Sequence, residues 1–293
     1  FDITGFVKIE VSGKGALNLL QKICTNNIDV PVGKVVYSVI SNIYGGIKSD
    51  LTISRLEENK FWYVQPDGPL ETWLKAHQNG FDVKITDPSS RVIQVQGPAS
   101  KEILTKLTKE AINDDFKYYH SGYFEIANQK VYISRTGWTN ELGYEIYSLA
   151  WNTDYKKLWD TIIEVGSPLG LQLDGILSME MRRIEGGILD NNTDFDSSMN
   201  PYEAGFGSLV DLDKDDFIGK KSLEAYNLKD KKRLFGLISD YPLKYKSDVY
   251  LSDDKSVGYL PASTWSPTLK KFIAYVRFNY SDNWTKENVK ATS

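Results

Sequence analysis

The chain has 293 residues, of which 41% are hydrophobic and 25% charged, and its net charge is -4 at pH 7. That length can bury a sizeable core, that composition suits a globular protein, and scattered Lys and Arg give no basic footprint for nucleic acid. No uncharged apolar run reaches the roughly 18 residues needed to cross a bilayer, and the single cysteine, Cys24, excludes an intramolecular disulfide and fits a reducing, cytoplasmic setting.

In chain order, alternation predicts a strand over Val7–Val11, with Ser12 able to cap the helix after it. The apolar helix positions Ala16, Leu19, Leu20 and Ile23 lead to Cys24, which reads as a buried structural thiol. Strands near Val35–Ile40 and Ile47–Arg55 flank a Tyr44-Gly45-Gly46 hairpin turn. Phe61–Gln65 reads as a strand, Pro69–Gln78 as a helix, and Arg91–Gln96 as a strand ended by Gly97-Pro98. A helix over about Ala99–Lys109 comes next. The strand Lys130 to Arg135 breaks at Gly137 and resumes from Tyr144. Helices near Thr153–Val165 and Asp174–Glu185 follow, the second with Asp174 as its cap, and Lys220–Asn227 is a short one. From Arg233 only strands and turns are predicted: Leu234–Ile238, Val257–Leu260 and Lys271–Phe278. The charged Lys229-Asp230-Lys231-Lys232 is the expected boundary between an α+β body, residues 1–230, and a small all-β domain, residues 231–293. His77 and His120 lack ligand-type spacing and read as surface residues, so no metal site is expected from them.

Two carboxylates stand out. Glu145 lies between Tyr144 and Ile146 where a strand restarts, and a strand fits an acidic residue badly unless it has a partner or faces water. Beside Trp138, such an acceptor-only group suits a flat heterocycle whose edge presents neighbouring N–H donors; the plain alternative is a wet Glu on an edge strand. Asp50 shares a strand face with Lys48, Thr52 and Ser54, a face that is either solvated or turned to a ligand. Tyr37 and Tyr147 read as ordinary strand tyrosines, the latter on the same face as Glu145. Arg183 follows Glu180 by three on a predicted helix, the spacing of an intrahelical ion pair. The acidic run Asp190 to Asp196 has neither the central Gly nor the terminal Glu of a calcium loop and reads as a plain loop.

Ser134 to Tyr147 resembles the R-T-G-Y-T-G-E-x-G-F-E segment of the glycine-cleavage T-protein (aminomethyltransferase) family, which binds tetrahydrofolate. Further blocks resemble the family in order: Phe1-Asp2-Ile3-Thr4, Thr25-Asn26-Asn27, Gly45-Gly46-Ile47-Lys48-Ser49-Asp50-Leu51, Gln96-Gly97-Pro98, Arg183-Ile184-Glu185-Gly186-Gly187, Pro201-Tyr202-Glu203-Ala204-Gly205, Phe217-Ile218-Gly219-Lys220 and Ser266-Pro267-Thr268-Leu269. Trp138 in place of Tyr resembles the dimethylsulfoniopropionate demethylase branch. The strings after Asp50 and Glu141 resemble the sarcosine and dimethylglycine dehydrogenase branch.

The resemblance implies a three-lobed ring, two intertwined ferredoxin-like lobes plus a small C-terminal β lobe. It implies that Glu145 and Trp138 contact the pterin, that Tyr37 and Tyr147 line the folate site, and that Asp50 lies near N5 of the folate and the incoming donor. It offers Arg183 as a cation for the glutamate tail. The family has a sizeable segment before F-D-x-S and more strand after the last block, so the chain is expected to be shorter than its gene product at both ends. The implied activity is tetrahydrofolate-dependent transfer of a methyl or aminomethyl unit from a small cationic or amine donor. Alternatives are the glycine-cleavage aminomethyltransferase proper, a non-catalytic folate-binding maintenance protein, and a piece of a larger flavin-dependent demethylating enzyme. Ser49, where glycine-cleavage enzymes usually have a first Asp, leans away from the glycine-cleavage role. The expected partner is the small-molecule donor, with neither nucleic acid nor membrane, and a flavoprotein or lipoyl-protein partner is not readable.

Overall fold

Alternating strands separated by glycine-rich turns give three antiparallel sheets. The computed structural model describes residues 1–65, 68, 70–150, 152–226, 232–250 and 255–280. In chain order its elements are β1 (Val7–Ser12), α1 (Ala16–Ile23), β2 (Val35–Ser41), β3 (Ile47–Glu57), β4 (Lys60–Gln65), α2 (Leu70–His77), β5 (Lys84–Thr86), β6 (Val92–Gln96), α3 (Ser100–Leu107), β7 (Ser121–Ile126), β8 (Gln129–Ser134) and β9 (Gly143–Ser148). They continue with α4 (Tyr155–Gly166), α5 (Ile176–Glu185), α6 (Pro201–Ala204), α7 (Lys220–Glu224), β10 (Leu234–Ser239), β11 (Asp248–Tyr250), β12 (Ser256–Ser266) and β13 (Lys271–Phe278). The sheets have strand orders β2-β3-β4-β1-β5, β6-β9-β8-β7 and β10-β13-β12-β11. This is the mixed α+β composition read from the sequence. Three strands escaped that reading: β5, β7 and β11.

The chain divides into two compact units. One holds residues 1–23, 27–37 and 51–179; the other holds residues 24–26, 38–50 and 180–293. The cut at 179/180 differs from the expected one near residue 230, and residues 229–231 of that expected linker lie outside the described residues.

The first unit has two cores on opposite faces of the β6-β9-β8-β7 sheet. On one face Val95, Val131, Ile133, Tyr144 and Ile146 pack against Leu104 of α3 and Leu158 and Ile162 of α4. On the other, Val92, Tyr132 and Tyr147 meet Leu56, Trp62 and Val64 from β3 and β4. Strand alternation thus sends Tyr144 and Ile146 of β9 to one core and Tyr147 to the other.

In the second unit the motif blocks act as ties. Thr25 Oγ1 donates to the carbonyls of Leu209 and Val39, at 2.7 and 3.1 Å, and Lys214 Nζ donates to those of Cys24 and Asn26. Asn200 and Glu203 cap α6 reciprocally, as a capping box. Glu185 accepts from Ser266 Oγ and from the Thr268 amide. Cys24 is buried, as expected. His77 and His120 are partly exposed and pack against Trp73 and Phe116 respectively.

Candidate functional site

The register of the β6-β9-β8-β7 sheet builds one polar row. Gln94 pairs with Glu145, Glu145 with Ser134, and Ser134 with Ser121. The next row on the same face is Val92, Tyr147, Tyr132 and Tyr123. Trp62 covers Tyr132 and Tyr147 with ring centroids at 5.6 and 5.8 Å. Each of those two tyrosines turns its hydroxyl onto the polar row: Tyr147 donates to Glu145 Oε2 at 2.7 Å, and Tyr132 to Ser121 Oγ at 2.7 Å.

Glu145 is therefore no solvent-facing side chain on an edge strand. It sits on β9, between β6 and β8, and only 6% of it is exposed. Such a carboxylate must be hydrogen-bonded to be tolerated. Oε2 accepts from Thr136 Oγ1 at 2.6 Å as well as from Tyr147, and Ser134 Oγ stands 2.5 Å from Thr136 Oγ1. Oε1 accepts from Gln94 Nε2 at 2.7 Å. Oε2 thus holds two short bonds and Oε1 one, which leaves an acceptor direction at Oε1. Burial first, then the adjoining Glu145 charge, pushes the Tyr147 phenol well above the ordinary tyrosine value, so it remains a proton donor. Gln94 is 2% exposed, and among the described residues its Oε1 has no hydrogen-bond partner.

The loop bearing Trp138 is locked by a second glutamine. Gln96 Oε1 accepts from Thr139 Oγ1 at 2.9 Å, and its Nε2 points to the carbonyls of Thr136 and Tyr144. The carboxamide lies between Gly137 and Gly143, where an added Cβ would come within 2.1 Å of Oε1 at either position. This close approach explains both glycines of the motif and links them to the Gln-Gly-Pro stretch. Trp138, held on that loop, meets Phe6 edge-on at 6.1 Å and packs against the cluster containing Tyr147.

The other sequence candidates are placed separately. Tyr37, in the first unit, is half-buried on β2. Asp50, in the second, is 5% exposed on β3, so the strand face read as either solvated or turned to a ligand is dry there and at Ser54. Arg183 is fully buried. Its Nε donates to Glu180 Oε2 at 2.7 Å, its Nη2 to Glu180 Oε1, and its Nη1 to Asp194 at 2.7 Å and to the Ile188 carbonyl at 3.1 Å. The acidic loop is a structural one: Asp194 takes Arg183 and the Asp190 amide, while Asp196 takes Arg277. Glu145, Tyr147 and Trp138 are thus brought to one face of one unit. Gln94, Gln96, Ser134 and Thr136 are the residues sequence reasoning missed there; two glutamines alternating in a short apolar strand were the available signal.

Residues 1–214 match the GCVT N-terminal domain family. An aminomethyltransferase of Thermoanaerobacter pseudethanolicus is 33% identical over 282 residues, across 93% of this chain and 76% of its own length. One of Chloroherpeton thalassium is 32% identical over 293 residues, across 96% and 80%. The crystal structure of the glycine cleavage system aminomethyltransferase T from Bartonella henselae aligns with a TM-score of 0.83 at 20% identity, over 95% of this chain and 77% of that one, which shows the fold.

Proposed function

The chain belongs to the GCVT family of aminomethyltransferases, and from that premise we propose that it transfers a one-carbon unit from a small amine or cationic donor to N5 of tetrahydrofolate. It is a transferase, and tetrahydrofolate is the group its family uses. The observation that carries the reading is the buried Glu145 carboxylate, which keeps an acceptor direction at Oε1 among aromatic side chains. A reduced pterin presents N3–H and a 2-amino group along one edge, and the residues present fit that edge.

Bound tetrahydrofolate supplies the nucleophile, its N5, so the protein needs no nucleophilic side chain of its own. In this proposal Glu145 orients the pterin edge, and Tyr147 and Thr136 hold the carboxylate in place. Trp138 and Tyr37 wall the ring. Asp50, a buried carboxylate, holds a cationic donor or takes an amine proton. Arg183, bonded to Glu180, Asp194 and the Ile188 carbonyl, braces the loop over residues 188–196 of its own unit. Positioning donor carbon against N5 is then the main catalytic contribution.

The aminomethyl form of the reaction, giving 5,10-methylenetetrahydrofolate, is the reading the named relatives favour. Trp138 and Ser49 favour a second reading, methyl transfer from a sulfonium-type donor to give 5-methyltetrahydrofolate. Chromatography of the folate product after incubation with tetrahydrofolate and aminomethyl or sulfonium donors separates the two. Formation of neither product from any donor class would sink the transferase proposal.

A further inference from the structure

Gln94 places a second acceptor beside the Glu145 carboxylate. Its side chain is oriented by chemistry. Nε2 faces Glu145 Oε1 at 2.7 Å, and the flipped amide would set a carbonyl oxygen against a carboxylate oxygen. The carbonyl oxygen of the same carboxamide must therefore point away from Glu145 Oε1 while staying one carboxamide from it. It is buried, and among the described residues nothing donates to it. A buried acceptor left unsatisfied is costly, which marks it as a place where a donor belongs.

The carboxylate itself has little left to give. Oε2 is taken by Thr136 and Tyr147, and Oε1 already accepts from Gln94. A ligand edge with two or three N–H donors thus meets one direction at Glu145 Oε1 and one at Gln94 Oε1, not two free carboxylate oxygens. We infer that Gln94 is a specificity-determining residue of this site, its carbonyl accepting one N–H of the ligand's exocyclic amino group while Glu145 Oε1 accepts from the ring edge. The inference rests on the tetrahydrofolate reading and deepens it. The site selects ligands with a 2-amino group on a ring that also carries an N–H, and Gln94 does the selecting.

The test is anaerobic calorimetry of two ligands, tetrahydrofolate and its 2-desamino analogue, on wild type and Gln94→Met. Methionine keeps the length and loses both the carbonyl acceptor and the Nε2 donor to Glu145, and the desamino analogue measures what the second loss alone costs. On passing to Gln94→Met, tetrahydrofolate should lose about tenfold more affinity than the desamino analogue does. Gln94→Leu repeats the comparison if the methionine variant does not fold. Equal losses for both ligands would mean that Gln94 merely props Glu145, and no loss for either would mean that its carbonyl faces no ligand; each overturns the inference. Wild type failing to bind tetrahydrofolate would overturn the cofactor reading itself, which the variant comparison would not do.

Discussion

Replacing Arg183 by Met decides between a structural brace and a ligand-binding cation. The guanidinium is fully buried and bonds Glu180 twice, Asp194 and the Ile188 carbonyl. Asp194 is also fully buried, and without Arg183 its carboxylate keeps only the Asp190 amide as a hydrogen-bond donor among the described residues. Breaking a buried pair from one side costs about 3–5 kcal/mol, because the surviving charge is left uncompensated. With a urea slope of about 3 kcal/mol/M the unfolding midpoint should fall by roughly 1–1.7 M, read by tryptophan fluorescence. The double variant Arg183→Met, Asp194→Leu should recover more than half of that loss, since no unpaired charge remains. A midpoint unchanged by Arg183→Met, together with lost tetrahydrofolate binding, would refute the brace and make Arg183 a cofactor ligand.

Three further outcomes follow from the geometry. Gly143→Ala drives a Cβ onto the Gln96 carboxamide, which is pinned on its other side by Gly137; it should cost about 1–3 kcal/mol in urea unfolding, and Gln96→Ala in the same chain should recover most of it. The Arg277 guanidinium bonds both Asp196 oxygens, at 2.9 and 3.0 Å, and holds that carboxyl well below its ordinary value. A depressed carboxyl contributes stability above its unfolded pKa and loses it as pH falls toward the folded one. The gap between wild type and Asp196→Asn, about 1 kcal/mol for a half-exposed pair at neutral pH, should therefore shrink as pH drops from about 5 to about 2; a gap independent of pH would refute the pairing. Burial brings the Lys214 ammonium down to about 8, so amine-directed acetylation at pH 8, followed by peptide mass spectrometry, should find Lys214 more reactive than the exposed Lys156, and equal or lower reactivity would contradict the shift.

Much of the fold was legible because strand alternation is a strong local signal. The two strands around the Trp138 loop and β13 fall within a residue or two of their predicted spans. β5 and β11 were missed because three residues are too few for alternation to show. At the site, a Glu inside an apolar strand announced a partner, and the residue is buried. Most of its partners could not be read, because Gln94 meets Glu145 only through strand register and Thr136 only through the loop after β8; Tyr147 was legible as sharing its strand face, not as its hydrogen-bond donor. The same limit applies to Gln96, whose role depends on two glycines more than forty residues away. Several blocks of the family resemblance, including those with Thr25, Glu185 and Ser266, hold cross-ties within the fold, and a sequence motif does not separate a tie from a ligand contact.

Tetrahydrofolate binding to wild type and Glu145→Gln, by anaerobic calorimetry, tests the central claim most directly. Glutamine is the better probe than alanine, because alanine would leave Gln94, Thr136 and Tyr147 as buried donors without an acceptor. Losing the charge-assisted contact should weaken binding by about 1.5–3 kcal/mol, roughly tenfold to a hundredfold. Equal affinity for both proteins would contradict the assignment of Glu145 as the pterin acceptor, and no binding by wild type would contradict the folate-dependent function.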